Sequence, residues 1–444
     1  MICKNDTIFI IVCIIVACLI ADTLLAKIYN FTVIDTSSNW RTIIFLFIGI
    51  VSAICQYFVL EFIGRKCKEI RLSGQLHINL IQKIVTMTQS VITGLLILIF
   101  FQMITEMSFN NYIVIVGMTI SYSLATALMT MLAKRFFSWF LTNRNLVVVL
   151  YAISSAILAI NAAVTLVYVA ILLFQQPVMV YPHPSTVSPA QFLGTESLTG
   201  VLNQAFIISS IMSFASFWIA TVFLMKYYSK KIGRAMYWFL VSIPLIYFVC
   251  QFSPYFLDIF SSIRQSQPIM FGMIYTIIFT LSKPTGGILF GIAFWVASKS
   301  LPKQSNVKVY LIISALGIVL LFTSNQAIIL VSFSYPPFGI ATISFMGLAS
   351  YLILVGVYSS AISIAQDSKL RQTIRRSAIK ESKLLDSIGL AHMEDQLMSN
   401  VLKTVKLNQK NLTEETGIET SMSQEEIRDY LYDVIKETRV NAKK

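Results

Sequence analysis

The sequence predicts an all-α polytopic membrane protein, and two observations lead to this fold class. The 444 residues are 56% hydrophobic and only 12% charged, with a mean hydropathy of +0.74, whereas soluble domains carry about 25% charged residues. The apolar residues also form continuous blocks of about twenty, the length that a helix needs to cross about 30 Å of hydrocarbon. A soluble enzyme, a secreted disulfide domain, a disordered chain and a transmembrane β-barrel, which alternates over about ten residues, are therefore excluded.

Ten apolar runs define the predicted bundle, which occupies residues 1–365. They cover residues 7–26, 41–63, 79–103, 112–133, 146–174, 204–225, 236–258, 270–298, 309–333 and 338–365. The first run has one alternative, a signal peptide, because Lys4 precedes the apolar stretch. We favour a membrane span, since the apolar run continues through Leu24 and Leu25 without a clear cleavage site.

Lysine and arginine are concentrated in every second loop. One set of loops contains Arg65, Lys66, Lys68, Arg71, Lys134, Arg135, Arg144, Lys226, Lys230, Lys231, Arg234, Lys299, Lys303 and Lys308. The other set keeps only Lys27, Arg41 and Arg264. The positive-inside rule therefore predicts a multi-pass plasma-membrane protein with both termini in the cytoplasm. The net charge of +13 lies in the membrane part, where residues 1–365 hold 20 Lys+Arg against 8 Asp+Glu, so we expect the lipid bilayer and not nucleic acid as the partner of these charges.

The eighth run is interrupted near the predicted bilayer midplane. The interruption reads Lys283-Pro284-Thr285-Gly286-Gly287. Proline removes a backbone donor and glycines loosen a helix, so peptide groups here need other partners. Broken helices at this depth bind substrates in many transporters, and we predict ligand binding by Lys283, Pro284, Gly286 and Gly287. The alternative is a kink whose lysine bonds a nearby carbonyl while Gly287 and Gly291 form a packing surface.

Several uncharged polar residues also lie inside predicted spans. Asn161 sits on a small-residue face, and Asn325 and Gln326 are adjacent in the ninth span. Interhelical hydrogen bonding is the expected role of such residues. Asn325 and Gln326 join the predicted ligand site if the break near Lys283 is functional. The carboxylates Asp22, Glu61 and Asp258 lie near span ends, which leaves no midplane proton relay.

The sequence indicates neither an enzyme nor a bound cofactor or metal. It contains no H-E-x-x-H, G-x-S-x-G, Walker A or dinucleotide-binding pattern. The three histidines, His77, His183 and His392, are too far apart in the predicted topology to share a metal ion. The six cysteines include no C-x-x-C pair.

Residues 366–444 form a predicted cytoplasmic helical tail with 14 Lys+Arg and 13 Asp+Glu. A basic first helix is expected to end at Gly389, a second helix to run from about 390 to 405, and an acidic third helix to follow Ser423. Binding of anionic headgroups or of a protein partner is predicted for Arg371, Arg375, Arg376 and Lys380. The later acidic helix favours a protein partner or a contact within the tail.

Part of the tail resembles a known group of proteins. The matching segments are Ser368-Lys369-Leu370-Arg371, Ile374-Arg375-Arg376, Glu381-Ser382-Lys383-Leu384-Leu385-Asp386-Ser387-Ile388-Gly389 and Glu414-Glu415-Thr416-Gly417. They resemble the C-terminal region of uncharacterised multispanning membrane proteins of ammonia-oxidising archaea. The resemblance covers about a quarter of the chain and implies an archaeal plasma membrane, but it implies no catalytic or binding residue.

Two functional hypotheses follow. The first is a receptor or scaffold that couples the bundle to a tail that meets a cytoplasmic protein partner in signalling. The second is a secondary transporter of a small solute that uses the broken helix around Lys283. Self-association into an oligomer is compatible with both.

Overall fold

The structure is a computed structural model, and it describes a helical chain. The described residues are 2–28, 38–71, 76–106, 108–174, 198–226, 233–253, 261–299, 301, 305–332, 335–367, 370–372 and 382–416. Within them the chain is helical and contains no strand, which confirms the predicted all-α class.

Thirteen α-helices and one 3-10 helix make up these ranges. They are α1 (Ile2–Ile28), α2 (Ser38–Arg71), α3 (Leu76–Glu106), α4 (Asn111–Thr142), α5 (Leu146–Phe174), α6 (Leu198–Met225), α7 (Arg234–Cys250), α8 (Ser261–Ser266), α9 (Pro268–Thr280), α10 (Ser282–Lys299), α11 (Asn306–Ser324), the 3-10 helix Ala327–Ser332, α12 (Ile340–Gln366) and α13 (Ser382–Thr416).

Nine segments of the described chain are long and apolar enough to cross a membrane. Two of them are composite, because α9 continues into α10 and α11 continues toward the 3-10 helix. The predicted seventh span corresponds to α7, which has 17 residues and a length of about 25 Å. Residues 254–260 lie outside the described residues, so a tenth crossing stays a prediction.

Helix α12 is the centre of the bundle, with 23 of its 27 residues buried. It contacts α1, α2, α3, α4, α11 and α13. Glycines bring the neighbouring backbones close: a Cβ added to Gly356 would lie 2.6 Å from the Tyr310 carbonyl oxygen. In a membrane, where lipid tails are as apolar as leucine, such close van der Waals packing stabilises helix pairs.

Helices α2 and α3 lie at the periphery and present apolar side chains outward. Phe47 is 65% exposed and Met87 is 73% exposed. An apolar outer surface of this size is unfavourable in water and suits contact with lipid. This distribution supports the membrane assignment independently of helix length.

The start of α12 is held by a carboxyl group from α1. Gly339, the residue before the helix, has a φ of 98°, and its N–H donates to Asp22 Oδ1 at 2.9 Å. Thr342 donates to Asp22 Oδ2 through its N–H at 2.9 Å and its hydroxyl at 2.8 Å. The first N–H groups of a helix lack partners within the helix, so Asp22, which is fully buried, acts as a capping residue supplied by another helix.

The tail does not end its first helix at Gly389. Helix α13 continues through this residue from Ser382 to Thr416, so the predicted interruption is wrong. A Cβ at Gly389 would overlap Ile364 Cγ2 of α12. The glycine therefore permits close packing of two helices instead of terminating one. The predicted third tail helix lies outside the described residues.

Candidate functional site

The interruption of the eighth predicted span lies at Leu281, between α9 and α10. Pro284 has no N–H for the carbonyl of Thr280, four residues earlier, and α9 ends at that residue. Hydroxyl groups satisfy neighbouring carbonyls: Ser282 Oγ donates to the Phe279 carbonyl at 2.8 Å, and Thr285 Oγ1 donates to the Leu281 carbonyl at 2.7 Å. The predicted break at 283–287 is thus displaced, because these residues form the first turns of α10.

Pro284, Gly286 and Gly287 are buried in helix contacts. A Cβ at Gly286 would overlap the Phe214 ring of α6, and a Cβ at Gly287 would lie 2.8 Å from Phe322 Cβ of α11. One turn further on, a Cβ at Gly291 would lie 2.9 Å from the Ala315 carbonyl oxygen. The close packing predicted by the alternative interpretation is present at Gly287 and Gly291, whereas ligand binding by Pro284, Gly286 and Gly287 stays a prediction.

Lys283 reaches the end of α11. Its Nζ donates to the Asn325 carbonyl at 2.8 Å and lies 5.7 Å from the centre of the Phe206 ring. Asn325 follows the last residue of α11, where carbonyls no longer meet a donor one turn ahead. The two breaks therefore complement each other, since an ammonium on one helix binds a carbonyl freed at the end of the other.

The Asn325 side chain joins three further elements in a polar network. Its Nδ2 donates to Asn161 Oδ1 on α5 at 3.1 Å, and its Oδ1 accepts from the Tyr122 hydroxyl on α4 at 3.3 Å. Asn161 Nδ2 in turn donates to Ser209 Oγ on α6 at 3.0 Å. The Tyr122 hydroxyl also accepts from the Ala327 N–H at 3.2 Å. This Asn325 network consists of Lys283, Asn325, Asn161, Tyr122 and Ser209.

Gln326 makes a local contact instead. Its Nε2 donates to the Thr323 carbonyl at 3.4 Å, within the turn at the end of α11. Of the six predicted ligand residues, the structure thus brings Lys283 and Asn325 together directly and places Gln326 beside them.

Comparison of the chain with protein-family models, curated proteins and solved structures gave no match. The archaeal resemblance of the tail therefore stays a prediction.

Sequence reasoning missed Lys27 as part of this region. Lys27, near the end of α1, donates from Nζ to Thr280 Oγ1 at 3.4 Å. Thr280 is the residue at which α9 ends. The only signal in the sequence was a lone lysine on the side of the membrane that carries few basic residues, and nothing local indicated that it meets the eighth span.

Metal binding is not indicated by the described residues. Among them, no group of three or more His, Cys, Asp or Glu side chains is arranged to hold a metal ion. The chemistry available around Lys283 is that of ammonium, amide and hydroxyl groups.

The second candidate region is the contact between α13 and the bundle. Asn145 Nδ2 donates to Ser387 Oγ at 2.7 Å, and Arg135 forms an ion pair of 3.4 Å with Asp395. Leu385 and Ile388 belong to the same hydrophobic core as the spans. The first four turns of α13 are thus docked on α4, α5 and α12.

His392 lies inside this contact, 2% exposed. Its ring packs edge-on against Trp139 of α4, at 6.3 Å, and Tyr358 of α12, at 5.4 Å. Neither ring nitrogen has a hydrogen-bond partner among the described residues. Burial, with a smaller contribution from the Arg135 guanidinium, lowers the pKa of His392 from 6.5 to about 4, although the Asp395 carboxylate opposes this shift.

The predicted basic surface of the tail is described only at Arg371. Its guanidinium donates to the Ala365 carbonyl and, at 2.9 Å, to Met393 Sδ. Arg371 thus links the end of α12 to α13. Arg375, Arg376 and Lys380 lie outside the described residues, and headgroup or partner binding by all four basic residues stays a prediction.

Proposed function

We propose that the protein is a multi-pass plasma-membrane receptor or scaffold in which the bundle controls how its C-terminal helix is presented to a cytoplasmic partner. One observation carries the proposal: α13 begins as a docked helix, and apolar residues beyond its docked turns are exposed. Its first turns bury Leu385, Ile388 and His392, whereas Leu397 is 51% exposed and Leu407 58% exposed.

The route from bundle to tail supports a coupled output. Helix α13 docks on α12, and α12 contacts five further helices of the bundle. Packed helices change arrangement in discrete steps because their interfaces are bistable and not continuously deformable. A rearrangement of the spans that moves Ile364 therefore changes the contact between Ile364 and Gly389. This change in turn moves the exposed half of α13.

The exposed half of α13 has an apolar side suited to another helix or groove. Leu397 and Val401 are one turn apart, and Val401 is 37% exposed. Anchors at a spacing of four residues are a common mode of helix recognition. On the opposite side are Ser399 and Lys403, both exposed.

The charge distribution supports a cytoplasmic position for this helix. Helix α13 packs at the end of α4 that carries Lys134 and Arg135, which belongs to the basic set of loops. The positive-inside rule assigns that end to the cytoplasm. No enzymatic step is part of the proposal.

Site-specific photo-crosslinking in native membranes tests the receptor proposal. A photoreactive residue at position 401 should give an adduct with a second protein, and the same residue at position 403, on the opposite side of α13, should not. Introducing Leu397→Glu should abolish the adduct because it places a charge on the apolar side. Equal adducts at both positions, or none at either, would refute a specific partner.

Secondary transport is the second candidate, and the contact between Lys283 and Asn325 favours it. Transporters bind solutes at the midplane where helices are discontinuous, and here Lys283 faces a carbonyl at the end of a second broken helix. Solute uptake into proteoliposomes by a chain ending at residue 396 tests it. Transport that survives loss of the exposed half of α13 would favour this candidate over the receptor.

A further inference from the structure

Two lysines meet at the junction of α9 and α10, where the described residues offer them no carboxylate. Lys27 Nζ bonds Thr280 Oγ1 at 3.4 Å, and Lys283 Nζ bonds the Asn325 carbonyl at 2.8 Å. Thr280 lies three residues before Lys283, so the two ammonium groups lie beside the same short stretch of chain and repel each other. We propose that Lys27 and Lys283 together bind a small solute through an anionic oxygen group, either a carboxylate or an oxyanion.

The first argument is the balance of charge. Both lysine side chains are half-buried, and among the described residues no carboxylate lies within 4.0 Å of either Nζ. Asp22 is five residues before Lys27, but its two oxygens already accept bonds from Gly339 and Thr342. An ammonium at the centre of a membrane costs about 2.5 to 3.5 kcal/mol on insertion scales. Lys283, inside the eighth span, and Lys27, near the end of α1, carry like charges, and this pair therefore calls for a counter-charge.

The second argument is the count of donors. Each ammonium has three N–H donors, and within the described residues each makes one hydrogen bond. Four N–H donors are left for a ligand or for water. An anion placed between the two Nζ atoms replaces one repulsion with two attractions, and these are strong in a medium of low dielectric constant.

The third argument is depth, which favours a small solute over a lipid headgroup. Lys283 lies sixteen residues from Lys299 at the basic end of α10, which corresponds to about 24 Å along the helix. On the other side, the thirteen residues of α9 extend about 20 Å. A headgroup held at either surface of the bilayer would therefore lie far from the Lys283 ammonium.

The proposal goes beyond the receptor function and does not depend on what the tail binds. It can be tested on the full chain in nanodiscs of uncharged phosphatidylcholine, in a buffer whose only anion is a bulky sulfonate. Acetate or inorganic phosphate is then added at constant ionic strength, and the midpoint of thermal unfolding is measured. Because a ligand that binds only the folded state stabilises it, we expect a rise of about 3 °C or more that grows with the logarithm of concentration.

Matched variants locate the effect. The rise should disappear in Lys27→Gln and in Lys283→Gln, and it should persist in Lys134→Gln, which removes an exposed lysine from α4. Lys283→Arg keeps the charge and should retain the rise, which guards against a glutamine variant that fails to fold. Without the added anion, Lys27→Gln should unfold at a higher temperature than the parent chain, since it removes the repulsion.

Three results would overturn the proposal. One is the absence of any rise with acetate or phosphate in the parent chain. Another is a rise that survives in both glutamine variants. The third is stabilisation by nanodiscs containing anionic phosphatidylglycerol but not by soluble anions, which would assign these charges to lipid headgroups.

Discussion

Single buried polar residues join distant parts of this chain. Asp22 binds residues more than three hundred positions away, at the start of α12, and Asn325 connects α11 to α4 and α5. Polar groups buried in hydrocarbon are costly unless they are bonded. Each of these residues therefore both stabilises the bundle and determines which helices are adjacent.

Asp22→Asn should destabilise the bundle by about 2 kcal/mol, the order expected for hydrogen bonds to a carboxyl group. Asparagine keeps one acceptor oxygen, but its NH₂ group then faces a donor of Gly339 or Thr342. Asp367→Asn is the control, because Asp367 also bonds a backbone N–H, that of Leu370 at 3.0 Å, but is exposed. Unfolding in mixed detergent measures both, and equal losses would contradict the capping role of Asp22.

Docking of α13 should weaken as the pH falls from about 6.5 to 4. The pKa of His392 is about 4 when docked and 6.5 when exposed, so the undocked helix binds the proton more tightly. The free energy that favours docking has its full value above pH 6.5 and decreases by about 3 kcal/mol by pH 4. The distance between spin labels at positions 134 and 397, in a version without other cysteines, reports docking. His392→Phe should remove the pH dependence, and a change that persists in this variant would assign it to other groups.

At the scale of helices, glycine and proline act through their neighbours. Pro284 ends α9 at the residue four positions earlier. Gly389 lies inside α13, and its lack of a side chain leaves room for Ile364 of α12. Glycine and proline in the sequence indicate that the helix is altered at each position. Whether the residue ends the helix or permits close packing depends on which helix lies opposite, and the sequence does not show this.

Alanine substitutions at Gly94 and Gly389 should have opposite effects on the stability of the packed helices. Alanine favours a helix over glycine by about 1 kcal/mol, and Gly94 on α3 has open space where a Cβ would lie, so Gly94→Ala should be neutral or stabilising. Gly389→Ala should displace α13, because the new Cβ overlaps Ile364. The distance between the spin labels measures the displacement of α13. An unchanged distance in Gly389→Ala would show that Ile364 can move aside without undocking the helix.

At the scale of the whole molecule, the bundle and the docked part of the tail share one core. Leu384, Leu385 and Ile388 lie in the same hydrophobic cluster as the spans. A division at residue 366 therefore separates a charged sequence from an apolar one but cuts through a single packed unit.

Two truncations should separate these parts. A chain ending at residue 366 should lose about 5 kcal/mol, because burial of each leucine or isoleucine contributes about 1.5 to 3 kcal/mol. A chain ending at residue 396 keeps the docked turns and should change by less than about 1 kcal/mol. Detergent-induced unfolding compares them with the full chain, and equal stability of both truncations would show that docking adds nothing to the bundle.

The sequence predicted what depends on local composition. Long apolar runs were sufficient to predict the fold class. Lys283 and Asn325 could be predicted as candidate site residues because polar groups are rare in such runs. Lys27 and Asp22 could not be assigned partners, since their contacts join α1 to segments hundreds of residues later. The docking of α13 was also missed, because a charged helix with an apolar side looks the same whether it meets a membrane, a partner or its own bundle.

The central position of α12 has a consequence for biosynthesis. A ribosome releases α1 to α11 before α12, so at about 5 to 20 residues per second α1 waits about half a minute for the helix that it contacts. During that time their inward faces, including Asp22, have no final partner. The contacts of α12 therefore form last, and a nascent chain interrupted before residue 340 lacks the helix that contacts α1, α2, α3, α4 and α11.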